Sequence, residues 1–245
     1  MHGGRAINDE ELFGKLDFIE LRNGVERDVR SYVLRGRSFS DSEKRTVRNY
    51  LEKYGIFFED ALMDYSKVFG NDHSVVIEIG FGMGDTTKEI ALRRPGYNYI
   101  GIEVFLQGFI KLLKQIGDND IKNLRIMRFN AVDVLNHMIA DGSVAGFHVF
   151  FPDPWPKKRH HKRRLMSTEF LALLSSKLKE GGYIYMVTDW EPYAEEVLEN
   201  AKGVGTLVNP YQGFAPPVPW RPTTKFEQKG IDKDHKISEI WLERR

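Results

Sequence analysis

From residue 74 onward the chain alternates short β-branched runs with amphipathic stretches, a pattern that few architectures accept. Val75-Val76-Ile77-Glu78-Ile79 is almost continuously apolar, as a strand covered on both faces must be. It breaks into glycines and then into Thr86-Thr87-Lys88-Glu89, a capping-box pattern that opens a helix. A second strand is expected over 97–104, followed by a helix with Phe105, Phe109, Leu112, Leu113 and Ile116 on one face. Residues 124–129, 146–151 and 183–188 read as three more strands. Between the last two, Phe170, Leu171, Leu174 and Leu178 mark a helix that Gly181-Gly182 should stop. Beyond four prolines between 216 and 222, residues 237–243 suit a final strand. Repeated strand–helix units predict an α/β fold, a mostly parallel sheet with helices on both faces.

A length of 245 residues fits one such domain with an appendage. Residues 71–245 read as the sheet domain, and 1–70 as a basic, mainly helical extension. From 22 to 48 that extension carries Arg22, Arg27, Arg30, Arg35, Arg37, Lys44, Arg45 and Arg48 against four acids. Ser38, Ser40 and Ser42 mark a loop or helix start. The sequence contains no apolar run of the roughly 18 residues a membrane helix needs. The first fifteen residues lack the pattern of a secretory signal, so the expected location is the cytoplasm. The absence of cysteine excludes disulfides, thiolate metal sites and a cysteine nucleophile.

The first strand ends in Gly80-Phe81-Gly82-Met83-Gly84-Asp85, a turn in which glycines let the backbone approach a ligand closely. A dinucleotide fingerprint needs its third glycine one residue later, and Glu78 and Asp85 bracket the loop with negative charge. Acids repel a pyrophosphate but suit a cation, which favours S-adenosylmethionine, with its sulfonium and ammonium, over NAD. Glu103 ends the second strand 19 residues after Gly84, where a carboxylate can accept both ribose hydroxyls. Asn130 ends the third, placed to read an adenine edge.

The fourth strand runs into Pro152-Asp153-Pro154-Trp155-Pro156. Three prolines fix the backbone and present Asp153 beside the cofactor loop, with a planar aromatic next to it that can pack on a base. Lys157-Lys158-Arg159-His160-His161-Lys162-Arg163-Arg164 follows, six basic residues in eight with no acid. Without them the net charge of +1 would be −5, so the near-neutral total conceals one dense basic patch. At this sheet edge the run is placed to contact phosphates. The two histidines lack acidic or sulfur partners, and no metal site is expected. Asp189 ends the fifth strand, and Thr224-Lys225-Phe226-Glu227 follows the prolines, where the chain can return over the site.

Together, IEIGFGMG (77–84), GIEV (101–104), FFPDPWPKKRHHKRR (150–164), TDW (188–190) and TKFE (224–227) resemble the bacterial tRNA (guanine-N7-)-methyltransferases. RSFS (37–40) is similar to a further segment of that family. The resemblance implies a class I, Rossmann-like S-adenosylmethionine-dependent fold and methyl transfer to N7 of guanine 46 in the tRNA variable loop. It implies that Glu78, Gly80, Gly82, Gly84, Glu103, Asn130 and Asp153 hold the cofactor, with Asp153 also catalytic. Lys157, Asp189, Thr224, Lys225, Phe226 and Glu227 would meet the substrate, and Arg159, His160, His161, Lys162, Arg163 and Arg164 would contact RNA. The extension would also touch tRNA and be partly flexible, and a monomer is favoured. Asn130 stands where many members carry aspartate, which leaves adenine recognition to the amide oxygen. Pro156 stands where some carry histidine. The alternatives are a methyltransferase for another RNA or a small heteroaromatic, and a non-catalytic RNA-binding protein on the same fold.

Overall fold

Strands form where the apolar runs predicted them, and two short ones are added at the sheet edges. The computed structural model describes residues 9–14, 16, 39–224, 227–228 and 236–245. Arg22, Arg27, Arg30, Arg35, Arg37 and Ser38 lie outside the described residues. The strands are β1 (Gly55–Ile56), β2 (Val75–Ile79), β3 (Asn98–Ile102), β4 (Leu124–Met127), β5 (Val144–Phe150), β6 (Leu178–Thr188), β7 (Leu207–Val208) and β8 (Ser238–Arg244). They form one sheet in the order β1-β4-β3-β2-β5-β6-β8-β7. All neighbours are parallel except at β8, which runs antiparallel to both β6 and β7.

Every residue of β2, β3 and β5 is buried, as their nearly continuous hydrophobicity predicts, and the burial extends to Glu78, Asn98 and His148. Ile77, Ile79, Ile100, Ile102, Phe147 and Val149 face one layer, formed by α3 (Tyr65–Phe69), α6 (Ala131–His137), α7 (Thr168–Lys177) and α8 (Glu191–Lys202). Val76, Tyr99 and Ile126 face the other, where α2 (Asp41–Tyr54), α4 (Asp85–Arg93) and α5 (Leu106–Asp118) pack. Leu12 of the short α1 (Asp9–Gly14) joins this second layer.

Ser40 caps α2 through a reciprocal capping box with Glu43. That helix is tied to the end of α5: Tyr50 donates to Asp118 (2.8 Å) and Tyr54 to Asp120 (2.7 Å). Residues 41–70 thus contribute α2, α3 and the edge strand β1 to the same layers as the rest of the chain.

Three local expectations are corrected. No capping box opens α4: Gly84, at φ 76°, turns the chain directly into a helix starting at Asp85, so Thr86 already lies inside the first turn. Gly181-Gly182 does not stop α7, which ends at Lys177. The glycine pair lies within β6, where pairing moves from Val144↔Leu178 to Gly146↔Tyr183 and residues 179–182 bulge out. Phe105 stands at the N-cap of α5 and is exposed, while Phe109, Leu112, Leu113 and Ile116 form the buried face.

Candidate active site at the switch point of the sheet

From β2 the chain builds outward through β3 and β4, then crosses back to lay β5 and β6 on the other side. The carboxyl ends of β2 and β5 therefore diverge, and ligands of open α/β sheets bind in that crevice. The glycine loop leaves β2 there and the Asp153 turn leaves β5.

Gly80 and Gly82 lie at φ 75° and 56°, conformations that L residues rarely adopt. Among the described residues, a Cβ at either would meet no atom within 4 Å beyond its chain neighbours, so the loop presents bare backbone to open space. Behind it, Gly108 of α5 packs so closely that a Cβ there would fall 1.8 Å from the Gly82 carbonyl oxygen. Gly80 N–H donates to Ile102 O (2.8 Å), joining the loop to the end of β3.

Glu103, just beyond β3, is buried and accepts three backbone N–H groups, from Gly82 (2.7 Å), Val104 (2.7 Å) and Phe105 (2.9 Å). Burial raises its carboxyl pKa and these three bonds oppose the rise. Its first task is thus to hold the loop, and a carboxylate retains lone pairs for ribose hydroxyls. Asn130 caps α6, its Oδ1 accepting from Val132 N–H (2.8 Å) and Asp133 N–H (3.3 Å). The amide oxygen expected to read adenine is therefore engaged in folding the helix.

Glu78, one residue before the carboxyl end of β2, is buried, and among the described residues its Oε2 has no hydrogen-bond partner. Burial pushes its pKa up to about 8; the Thr87 hydroxyl opposes the rise and the Glu103 carboxylate adds to it. An orphaned carboxyl oxygen beside an open glycine loop fits a ligand that brings a cation or donors and needs backbone contact. S-adenosylmethionine has both properties.

On the other side, Phe151 (φ 50°) and Trp155 (φ 43°) bracket the proline turn. Asp153 is exposed at its tip, and partial desolvation by the crevice wall raises its pKa. Trp155 is already engaged by the basic run. The Arg163 guanidinium lies over its ring at 4.9 Å and the His160 ring meets it edge-on at 5.6 Å. The basic run itself forms a 3₁₀ helix, Lys158–Arg163, with Lys157 at its N-cap. Lys157, Lys158, Arg159 and Lys162 are exposed; His160, His161 and Arg163 are half-buried. Desolvation and then the surrounding charges, Arg159 and Arg163 foremost, lower the His160 pKa and favour the neutral ring.

Two expected contacts are corrected. Arg164 does not face solvent: its side chain is 4% exposed, pairs with Glu196 of α8, and donates from Nε to Pro154 O at 2.8 Å. The accessible basic run therefore ends at Arg163. Glu227 is also buried, with both oxygens accepting from Arg221 at 2.7 and 2.8 Å. Its backbone N–H donates to the Thr224 hydroxyl (2.9 Å) while its carboxylate accepts from Thr224 N–H (3.1 Å). Thr224 and Glu227 thus form a local box rather than a free substrate surface, and Lys225 and Phe226 lie outside the described residues.

Asp189 is half-buried just beyond β6, at the same carboxyl edge as Asp153; Trp190, not Asp189, takes the N-cap of α8. Sequence reasoning missed Arg221, which also donates to Glu239 Oε1 (3.0 Å) and the Tyr185 hydroxyl (3.0 Å). Little in the sequence signals it: Glu239 shares β8 with Ser238, Glu243 and Arg244, and only its burial, which demands a cation, sets it apart.

Residues 72–240 match the family described as "Putative methyltransferase". The chain is 43% identical over 246 residues to a tRNA (guanine-N(7)-)-methyltransferase of Methylobacillus flagellatus, covering 100% of this chain and 98% of that one. A protein of the same name from Nitrosospira multiformis is 45% identical over 214 residues, 87% of this chain and 93% of its own. Among solved structures, the 16S rRNA methyltransferase KamB superposes with a TM-score of 0.53 at 12% identity, over 77% of this chain and 95% of that one. That likeness is one of fold, the class I S-adenosylmethionine-dependent methyltransferase fold. With near-complete coverage at this identity, the chain belongs to the tRNA (guanine-N7-)-methyltransferase family.

Proposed function

We propose that the protein transfers a methyl group from S-adenosylmethionine to N7 of guanine 46 in the variable loop of tRNA, in the cytoplasm. One observation carries this reading: the orphaned Glu78 carboxyl and open glycine loop lie across the switch-point crevice from Asp153 and the exposed basic 3₁₀ helix.

The cofactor, when bound, supplies an electrophilic methyl group on a sulfonium. Glu78, Glu103 and the backbone of Gly80 and Gly82 would hold it, Asn130 would act by fixing the start of α6 at the end of the third strand of the site, and Gly84 shapes the turn into α4. Guanine N7 carries an in-plane lone pair and no proton, so the chain needs no general base for this transfer. Its residues align the reactants, a proximity contribution, and meet the positive charge that develops on the purine. Asp153 is suited to the second task and to accepting from guanine N1–H and the exocyclic amine. Lys157 and Asp189 flank it at the edge where the base would enter, and Arg159 to Arg163 offer charge to the phosphates. Among the described residues no helix is long and apolar enough to cross a membrane.

The test is incubation with labelled S-adenosylmethionine and an unmodified tRNA transcript, followed by mapping of the modified base. Label on N7 of guanine 46, lost when that guanine is replaced, is expected; label elsewhere overturns the assignment.

A further inference from the structure

The turn that carries Asp153 is held in a conformation its residues do not favour. Phe151 and Trp155 lie at φ 50° and 43°, a region bulky side chains rarely adopt. Such a turn persists only where its surroundings over-determine it. One restraint is plain: Phe151 N–H donates to Val187 O of β6 at 2.7 Å. The second comes from ten residues along the chain, where Arg164 Nε donates to Pro154 O, the carbonyl next to Asp153. The same guanidinium pairs through Nη1 with Glu196 and lies over the Tyr193 ring at 4.9 Å, both on α8. The Tyr193 hydroxyl in turn accepts from Met166 N–H (3.0 Å), just past the basic run. The proline turn and α8 therefore converge on one planar fork that is almost wholly withdrawn from solvent.

We propose that Arg164 is a positioning residue for Asp153 rather than a contact to RNA, and that Glu196 holds Arg164 in that task. This rests on the reading above, in which Asp153 lies at the reaction centre. A phosphate reaching Arg164 would have to displace Glu196 and free Pro154 O, so nucleic-acid contact and turn geometry exclude one another at this side chain. The arrangement closes a short loop. The exposed 3₁₀ helix spans Lys158–Arg163 between the two ends that Arg164 pins together, so the RNA-facing cations and Asp153 share one anchored segment.

The experiment uses the full chain, S-adenosylmethionine and the unmodified transcript, with Arg164→Gln, Glu196→Ala and Glu196→Gln, and with Arg159→Ala as the reference for a phosphate contact. For Arg164→Gln and Glu196→Ala, kcat at saturating tRNA is expected to fall about ten- to a hundredfold, the scale of a misplaced catalytic group. The dependence of tRNA affinity on salt should keep its wild-type slope, whereas Arg159→Ala should flatten it by about 0.7–0.9. S-adenosylhomocysteine affinity should be unchanged, and Glu196→Gln, which keeps an acceptor oxygen, should retain most of kcat. A flattened salt slope with unchanged kcat in Arg164→Gln overturns the proposal in favour of an RNA contact. A parallel loss of kcat, S-adenosylhomocysteine affinity and melting temperature overturns it in favour of general folding support. A wild-type chain that methylates no guanine overturns the functional reading, and this inference with it; an active wild type confines any failure to Arg164.

Discussion

Glu78 is the side chain on which folding and function disagree. Its buried carboxyl titrates near 8 in the folded chain against an ordinary value of 4.5. The folded state holds the extra proton, so the associated stability is complete below pH 4.5 and is lost as pH rises through 8. Glu78→Gln keeps the shape without the titration. In thermal melts without ligand it should be more stable than wild type at pH 8, with the gap closing towards pH 4.5, while binding S-adenosylmethionine more weakly; a less stable variant at pH 8 would refute the burial argument. For Asp153, a role in charge stabilisation predicts that Asp153→Asn lowers kcat about 10²–10³-fold, as removal of a stabilising group does elsewhere. Raising the pH should not restore Asp153→Ala; rescue to the wild-type rate would identify a proton-removing role instead. Both acids were legible in the sequence because strand ends at a switch point are where chemistry collects. Arg164 was misread because in one dimension a basic run looks uniform, and packing against α8 decides which member turns inward; Glu227 was misread because its partner, Arg221, carries no signal of burial in the sequence.

At the level of elements, the glycine loop and α5 are one unit. Gly108→Ala would place a methyl group 1.8 Å from the Gly82 carbonyl oxygen, so either the helix or the loop must move. Calorimetry should show a loss of at least about tenfold in S-adenosylmethionine affinity, with tRNA affinity near wild type; equal loss of both would mean the whole crevice collapses. The 3₁₀ helix makes the opposite prediction. Neutralising the exposed Lys158, Arg159 and Lys162 together should flatten the salt dependence of tRNA binding by about 2–3 and spare cofactor affinity. The major strands were readable because burial on both faces leaves a nearly continuous apolar signature, as in β2 and β5. The two-residue strands β1 and β7 carry no such pattern, and their pairing is imposed by neighbours. The end of α7 was misplaced because Gly181-Gly182 is as good a bulge in a strand as a stop for a helix, and only pairing with β5 decides between them.

Across the whole molecule, Arg221 joins parts of the chain that are distant in sequence. Its side chain, 4% exposed, bridges Glu227, Glu239 of β8 and Tyr185 of β6. Burial disfavours its charge, but Glu227 and the other acceptors hold its pKa above the ordinary arginine value. Arg221→Leu would leave two carboxylates buried without their cation, and urea unfolding should show a loss of about 3–5 kcal/mol. A change below 1 kcal/mol would show that water reaches the network. The position of β8 has a further consequence. It follows every other strand in chain order, yet it lies inside the sheet, between β6 and β7. Until residues 238–244 have been synthesised and released, one edge of β6 from Tyr183 to Thr188 has no strand to pair with. A chain interrupted before Ser238 would offer its longest strand, β6, to any neighbouring nascent chain.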